Sequence, residues 1–69
     1  MTPNFYAFFI GQIKIEICHA VGGWQYKAFN LGKEVARGTG FDDADFAEVV
    51  ARDTIDDALL YGIKINDND

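Results

Sequence analysis

From Ile13 onward the hydrophobic period of this sequence changes once, at Gly38-Thr39-Gly40, and that change constrains the fold more than any other feature. Upstream of it, isoleucines alternate with polar or small residues from Ile13 to Cys18, which is typical of a strand with one buried face. Residues 24–29 alternate in the same way, and a shorter strand is predicted around residues 34–37. The sequence therefore predicts a three-stranded antiparallel meander. Its turns are expected at Gly22-Gly23 and Gly32-Lys33.

Downstream of the change, small and apolar residues recur every three or four positions, the period of a helix with one buried stripe. The stripe consists of Ala44, Ala47, Ala51, Ile55, Ala58 and Gly62. It predicts one helix from about Asp43 to Tyr61, capped by Asp42 or Asp43 and packed closely on the sheet, because alanine lets two backbones approach. An alternative breaks the helix near Asp53, with Thr54 capping a second helix.

The first ten residues are compatible with two structures. Thr2-Pro3 is a typical helix start and aromatic residues follow at helical spacing, so we expect a short helix over residues 3–10. The alternative is an aromatic-rich strand from Phe5 to Ile10, since periodicity alone does not separate the two in so short a run.

These elements combine into one compact α+β domain over residues 1–69. We expect a short N-terminal helix, a three-stranded antiparallel sheet and one long acidic helix packed on one face. Residues 63–65 are a candidate for a short fourth edge strand. A lone cysteine cannot form an internal disulfide, and the chain shows neither a basic leader nor an apolar run long enough to span a membrane. We therefore expect a soluble cytoplasmic protein.

Charge is divided unevenly between the two halves of the chain. Residues 42–69 carry nine carboxylates against two cations, a net charge of −7, whereas residues 1–41 have a net charge of +2. The overall charge of −5 is thus the difference between two unlike halves. Such an asymmetry bears on binding partners and solubility more directly than on fold.

Part of this acidity has a structural explanation and part does not. Aspartates at the helix start are favoured by capping and by the helix dipole. Asp53, Asp56 and Asp57 lie in the later half, where aspartate is a poor helix former and the dipole disfavours negative charge. Carboxylates three or four residues apart lie with Cβ atoms about 5–6 Å apart, so this face can present a phosphate-like row of charge. The candidate partner-binding residues are Asp42, Asp45, Glu48, Asp53, Asp56 and Asp57.

Two interpretations of this face remain open. It is either a binding surface for a basic groove, with Phe46, Val49 and Leu60 as apolar anchors among the acids, or a solvated face that keeps a small domain soluble. The sequence alone favours neither interpretation over the other.

Catalytic and metal-binding patterns are weak in this sequence. Cys18 and His19 are neighbours in a strand, so they point to opposite faces and cannot share a proton, and two ligands are too few for structural zinc. The run from Asp42 to Asp45 lacks the ligand alternation and central glycine of a calcium loop. We expect no enzyme activity, no metal and no cofactor.

Two small nucleic-acid-related domains resemble parts of this pattern. The expected helix, three strands and helix resemble a double-stranded RNA-binding domain, but that family grips phosphate with lysines at its last helix, where this chain carries aspartates. We therefore expect no direct nucleic-acid binding. Residues 13–61, three strands and then a helix preceded by Gly38-Thr39-Gly40, resemble antitoxin domains of the HicB type. That resemblance implies an alternative function as an antitoxin-like or regulatory protein-interaction module.

The chain as a whole is similar to small acidic phage anti-CRISPR proteins. The similarity rests on the sheet from Trp24 to Arg37, the helix entry from Gly40 to Phe46 and the exposed segment 53–57. It implies a catalytically inert inhibitor of a type I CRISPR surveillance complex, with type I-C as the candidate subtype, in the cytoplasm of the infected bacterial host. Such an inhibitor, as a monomer, mimics DNA, occupies a basic DNA-entry or PAM-reading surface and competes with target DNA.

Overall fold

Four antiparallel strands and one helix make up the described part of the chain. The computed structural model describes residues 4–61. The elements are β1 (Phe5–Ile10), β2 (Ile13–Ala20), β3 (Gly23–Asn30), β4 (Lys33–Phe41) and the helix α1 (Ala44–Tyr61). The strands neighbour one another in chain order, and α1 packs across β2, β3 and β4 on one face. The α+β class is confirmed, and the candidate edge strand at residues 63–65 lies outside the described residues.

β1 stands where the sequence predicted a helix over residues 3–10. Exposure alternates along Phe5–Ile10, with the even-numbered residues half-buried against the core and the odd-numbered residues exposed. The helix prediction was wrong and the alternative strand is correct. A helix of about two turns closes few hydrogen bonds, whereas this segment pairs along its full length with β2 across the turn Gly11-Gln12.

The two later turns lie one residue before their predicted positions. They are formed by Val21-Gly22 and Leu31-Gly32, as the strand register shows. Leu31 and Gly32 have φ values of 55° and 84°. Two consecutive positive φ angles give a two-residue turn whose twist matches that of the flanking strands. The predicted meander is therefore confirmed for β2, β3 and β4, and β1 extends it to four strands.

β4 is longer than the predicted strand at residues 34–37, and Gly38-Thr39-Gly40 does not break the sheet. Gly38 pairs with Tyr26 and Phe41 pairs with Trp24, with a register shift between these pairs. A Cβ atom on Gly38 would overlap the Tyr26 ring, so glycine is needed for that ring to lie across the strand. The glycines therefore accommodate an irregularity within the strand, which a sequence pattern cannot distinguish from a strand end.

The core lies between the sheet and the small-residue stripe of α1. Isoleucines of β2 face the helix, and the alanines of α1 allow its backbone to approach them, as the sequence predicted. The charged and other polar residues of the described chain lie outside this core. The fully buried hydrophobic residues are Ile13, Ile15, Ile17, Ala28, Ala47, Ala51 and Ile55.

α1 is continuous through Asp53, as the preferred prediction had it. Asp43 caps the helix, because its Oδ1 accepts a hydrogen bond from the backbone N–H of Phe46 at 2.7 Å. Thr54 does not cap a second helix; its Oγ1 lies 3.5 Å from the Tyr26 hydroxyl that donates to it. No helix in the described part of the chain combines the length and apolar character needed to cross a membrane.

Candidate functional site

Five of the six candidate partner-binding residues form an exposed acidic surface, which we name the aspartate ridge. Asp42 lies between β4 and α1, and the other members project from α1. Every one of them is exposed, in agreement with the sequence prediction that they face solvent. The aspartate ridge consists of Asp42, Asp45, Asp53, Asp56 and Asp57.

The helix holds these carboxylates at regular intervals. Asp53 has Asp56 and Asp57 as its neighbours one turn later, with Cβ atoms about 5–6 Å apart. At about 1.5 Å per residue, the ridge from Asp45 to Asp57 is about 18 Å long. Because Ala47, Ala51 and Ile55 anchor the opposite side of α1 in the core, the ridge is a fixed array and not a flexible acidic tail.

The aspartate ridge carries its charge without neutralisation by the described part of the chain. Within residues 4–61, no lysine or arginine lies within ion-pairing distance of any ridge carboxylate. Arg52 is the cation on α1 itself, and it is bound to Glu48. The ridge therefore presents negative charge outward.

Glu48, the sixth candidate, takes part in an intramolecular network. Its Oε1 accepts a hydrogen bond of 2.9 Å from the Tyr6 hydroxyl, and its Oε2 lies 2.9 Å from the Nε of Arg52, which donates to it. The Arg52 guanidinium also lies 4.4 Å from the centre of the Phe8 ring. These contacts join β1 to α1, so the structure gives Glu48 a packing role. The four-residue spacing of Glu48 and Arg52 is typical of an ion pair on a helix. The contact with Tyr6 could not be predicted, because residues 3–10 were expected to form a helix outside the sheet.

The environment of Tyr6 stabilises its neutral form. Burial is the main cause, followed by the hydrogen bond to Glu48 and the negative charges of Glu48 and Asp45, and together they raise the pKa of Tyr6 to about 12. In the folded protein the phenol of Tyr6 therefore keeps its proton at pH values above the ordinary tyrosine pKa of about 10.

Raising the pH should therefore weaken the fold through Tyr6. Its contribution to the free energy of unfolding is fully present below about pH 10 and is lost as the pH rises toward about 12. Chemical denaturation measured across this pH interval should show that the free energy of unfolding falls less for Tyr6→Phe than for the wild type. Ultraviolet titration of Glu48→Gln should move the Tyr6 phenol back toward its ordinary pKa, and an unchanged titration would contradict the assigned network.

Apolar side chains interrupt the aspartate ridge. Phe46, Val49 and Leu60 are 53%, 61% and 73% exposed, on the same outer surface as the acids. Phe46 also packs edge-on against Phe41, with ring centres 5.4 Å apart. The sequence expectation that these residues lie among the acids is confirmed. An interface that covers the ridge would therefore bury apolar surface together with charge.

Sequence reasoning missed a second surface, on the sheet face away from α1. A shallow cavity of about 400 Å³ lies there, lined mainly by Phe9, Lys14, Phe29 and Leu31. Lys14 is partly neutralised, because its Nζ lies 3.4 Å from a carboxylate oxygen of Glu16. Because residues 3–10 were predicted to form a helix, Phe9 was not expected in the sheet, and the cavity was not predicted. The alternation of exposed aromatic residues in β1 was the available signal.

Cys18 and His19, which the sequence places side by side, are neighbours on β2. No cluster of three or more His, Cys, Asp or Glu side chains that could hold a metal ion is found within residues 4–61. His19 is exposed and packs against Trp24, with ring centres 5.0 Å apart. Cys18 is half-buried, and in the strand register it lies opposite Phe5 of β1 and Gln25 of β3.

Comparisons of the chain with protein-family models, curated proteins and solved structures find no match.

Proposed function

We propose that this protein is an inhibitor of a type I CRISPR surveillance complex and acts as an acidic mimic of DNA. The observation that carries the proposal is the aspartate ridge, five exposed carboxylates with no ion-pairing cation within residues 4–61. The resemblance to small acidic phage anti-CRISPR proteins supplies the class of target and type I-C as the candidate subtype. The site of action is then the cytoplasm of the infected host.

Fold stability does not account for the later part of the ridge. Asp53 repels Asp56 and Asp57, each at a cost of about 0.2–0.5 kcal/mol, and none of the three lies in the first turn of α1, where the helix dipole favours anions. Aspartate is also a poor helix former at interior positions. Their placement weakens α1 slightly, which supports a role outside the fold.

The ridge suits a basic groove that normally holds DNA. Its carboxylates stand on a packed helix, so little conformational entropy is lost when they meet lysines and arginines. Phe46, Val49 and Leu60 add apolar contacts that a phosphate backbone lacks. The protein blocks target DNA by occupying its binding surface, with no chemical step.

Competition binding tests this proposal directly. Purified type I surveillance complexes, type I-C among them, are titrated with the protein in the presence and absence of target duplex. We expect binding that excludes the duplex and weakens about tenfold or more between about 50 mM and about 300 mM salt, since exposed charges are screened. A protein that binds none of these complexes, or binds together with the duplex without lowering its affinity, would refute the proposal.

A second candidate function is an antitoxin-like or regulatory interaction module. The feature in its favour is the unit formed by β2, β3, β4 and α1 over residues 13–61, three strands followed by a helix. Discovery of a short toxin gene alongside, followed by co-expression of the two, would distinguish the two functions. Rescue of growth favours the module, whereas loss of CRISPR interference favours the inhibitor.

A further inference from the structure

The two edge strands of the sheet within residues 4–61 differ in how they are protected against pairing with another chain. β4 carries Lys33, Glu34 and Arg37 and has an irregular register with β3. Charged side chains and bulges of this kind discourage a further strand from adding to an edge. β1 has the sequence FYAFFI, with no charged residue and no proline, and its register with β2 is regular. β1 is therefore the edge suited to accept another strand.

The backbone of β1 directs alternate residues toward its outer edge. The Asn4 carbonyl accepts a hydrogen bond of 2.9 Å from the His19 N–H, so even-numbered residues bond to β2 in this register. The N–H and C=O groups of Phe5, Ala7 and Phe9 consequently point away from β2. Within residues 4–61, no strand pairs with this outer edge.

The side chains of β1 are arranged symmetrically about Ala7. Two aromatic residues precede it and two follow it, and Phe5 and Phe9 are 55% and 67% exposed. An antiparallel partner with the same sequence, centred at the same residue, places Phe5 opposite Phe9 and Tyr6 opposite Phe8. Aromatic pairs directly opposite each other stabilise antiparallel strands.

We propose that a second copy of this chain pairs with the outer edge of β1 in an antiparallel arrangement, about a twofold axis at Ala7. The outward-pointing residues Phe5, Ala7 and Phe9 then form hydrogen-bonded pairs with Phe9, Ala7 and Phe5 of the second copy. Moving the axis to any other residue of β1 leaves fewer of these groups paired. The two sheets become one continuous sheet, and the twofold symmetry closes the assembly as a dimer.

The pairing should be weak and reversible. One short edge strand buries less than the roughly 1,200 Å² typical of stable complexes. The monomer expected from the sequence is then the dilute form, and dimers accumulate between about 10 µM and about 1 mM. β1 itself brings no like charges together, although each chain has a net charge of −5.

Charge swaps at the axis test the proposed register by analytical ultracentrifugation. The wild type should show a concentration-dependent dimer. Ala7→Lys or Ala7→Glu alone should remain monomeric, because the new side chain faces its own copy across the axis. An equimolar mixture of the two variants should restore a dimer that contains one of each. Thr39→Lys, an equal charge change at an exposed position on β4, should dimerise like the wild type.

Circular dichroism confirms that each variant is folded, which is expected because Ala7 is exposed. A wild type that stays monomeric to about 1 mM overturns the proposal, and so does a folded Ala7→Lys variant that still dimerises. Failure of the mixture to form a dimer overturns the register at Ala7. The inference is independent of the proposed inhibitor function, since Ala7 is not part of the aspartate ridge.

Discussion

Reversing Asp53, Asp56 and Asp57 to lysine is expected to abolish binding to the basic partner while the fold stays intact. Each exposed carboxylate contributes up to about 1 kcal/mol through an ion pair, so loss of all three and repulsion by the new lysines should weaken binding by about 100-fold or more. The fold is expected to tolerate the change, because all three side chains are exposed and lie outside the core. Titration of the surveillance complex, with circular dichroism of the free variant, measures both effects.

A pair of variants with equal charge separates the ridge from net charge. Changing Asp53, Asp56 and Asp57 to asparagine, or the exposed residues Asn4, Val21 and Thr39 to lysine, each moves the net charge from −5 to −2. We expect the asparagine variant to lose most of its binding and the lysine variant, altered at the sheet, to retain it. Equal losses in both would attribute binding to overall charge, and retained binding by the folded lysine reversal of the ridge would rule the ridge out.

Replacing Ile15 by alanine should remove much of the stability of the fold. Ile15 is fully buried in β2 beneath α1. Deleting its outer carbons costs about 2–5 kcal/mol, from lost burial and the cavity left behind. A domain of this size has a total stability of about 3–10 kcal/mol, so the melting temperature should fall by about 10–30 °C. Thermal unfolding followed by circular dichroism measures the shift.

Val49→Ala is the matched control for that substitution. Val49 is 61% exposed on the outer surface of α1, and alanine is the better helix former. Its free energy of unfolding should stay within about 0.5 kcal/mol of the wild type. Comparable losses at Ile15 and Val49 would contradict the assignment of β2 to the core and of Val49 to the surface.

The sequence was a good guide wherever one face of an element is buried over several turns or pairs. The isoleucines of β2 and the alanine stripe of α1 repeat at periods that only one conformation can bury, so β2, β3 and the unbroken helix were predicted correctly. The solvent exposure of the ridge followed from the same periodicity. β1 was misassigned because its few aromatic residues fit both helical and strand spacing.

Contacts between distant segments were beyond the reach of the sequence. Glu48 was predicted to face a partner, yet Tyr6 and Arg52 hold it within the protein. The contact with Tyr6 joins residues 42 positions apart, and it required β1 to be a strand in the sheet. The cavity beside Phe9 and the outer edge of β1 depended on the same element.

Local pattern by itself determined the alternating strands, the length of the helix and the side of it on which the aspartates lie, because each depends on the repeat of neighbouring residues. Tertiary structure alone decided the fate of residues 5–10, the continuation of β4 through Gly38, and the removal of Glu48 from the exposed acids. The physical reason is that those outcomes depend on hydrogen bonds and packing supplied by other segments. Their free energy exceeds the small local preferences that short runs of sequence express.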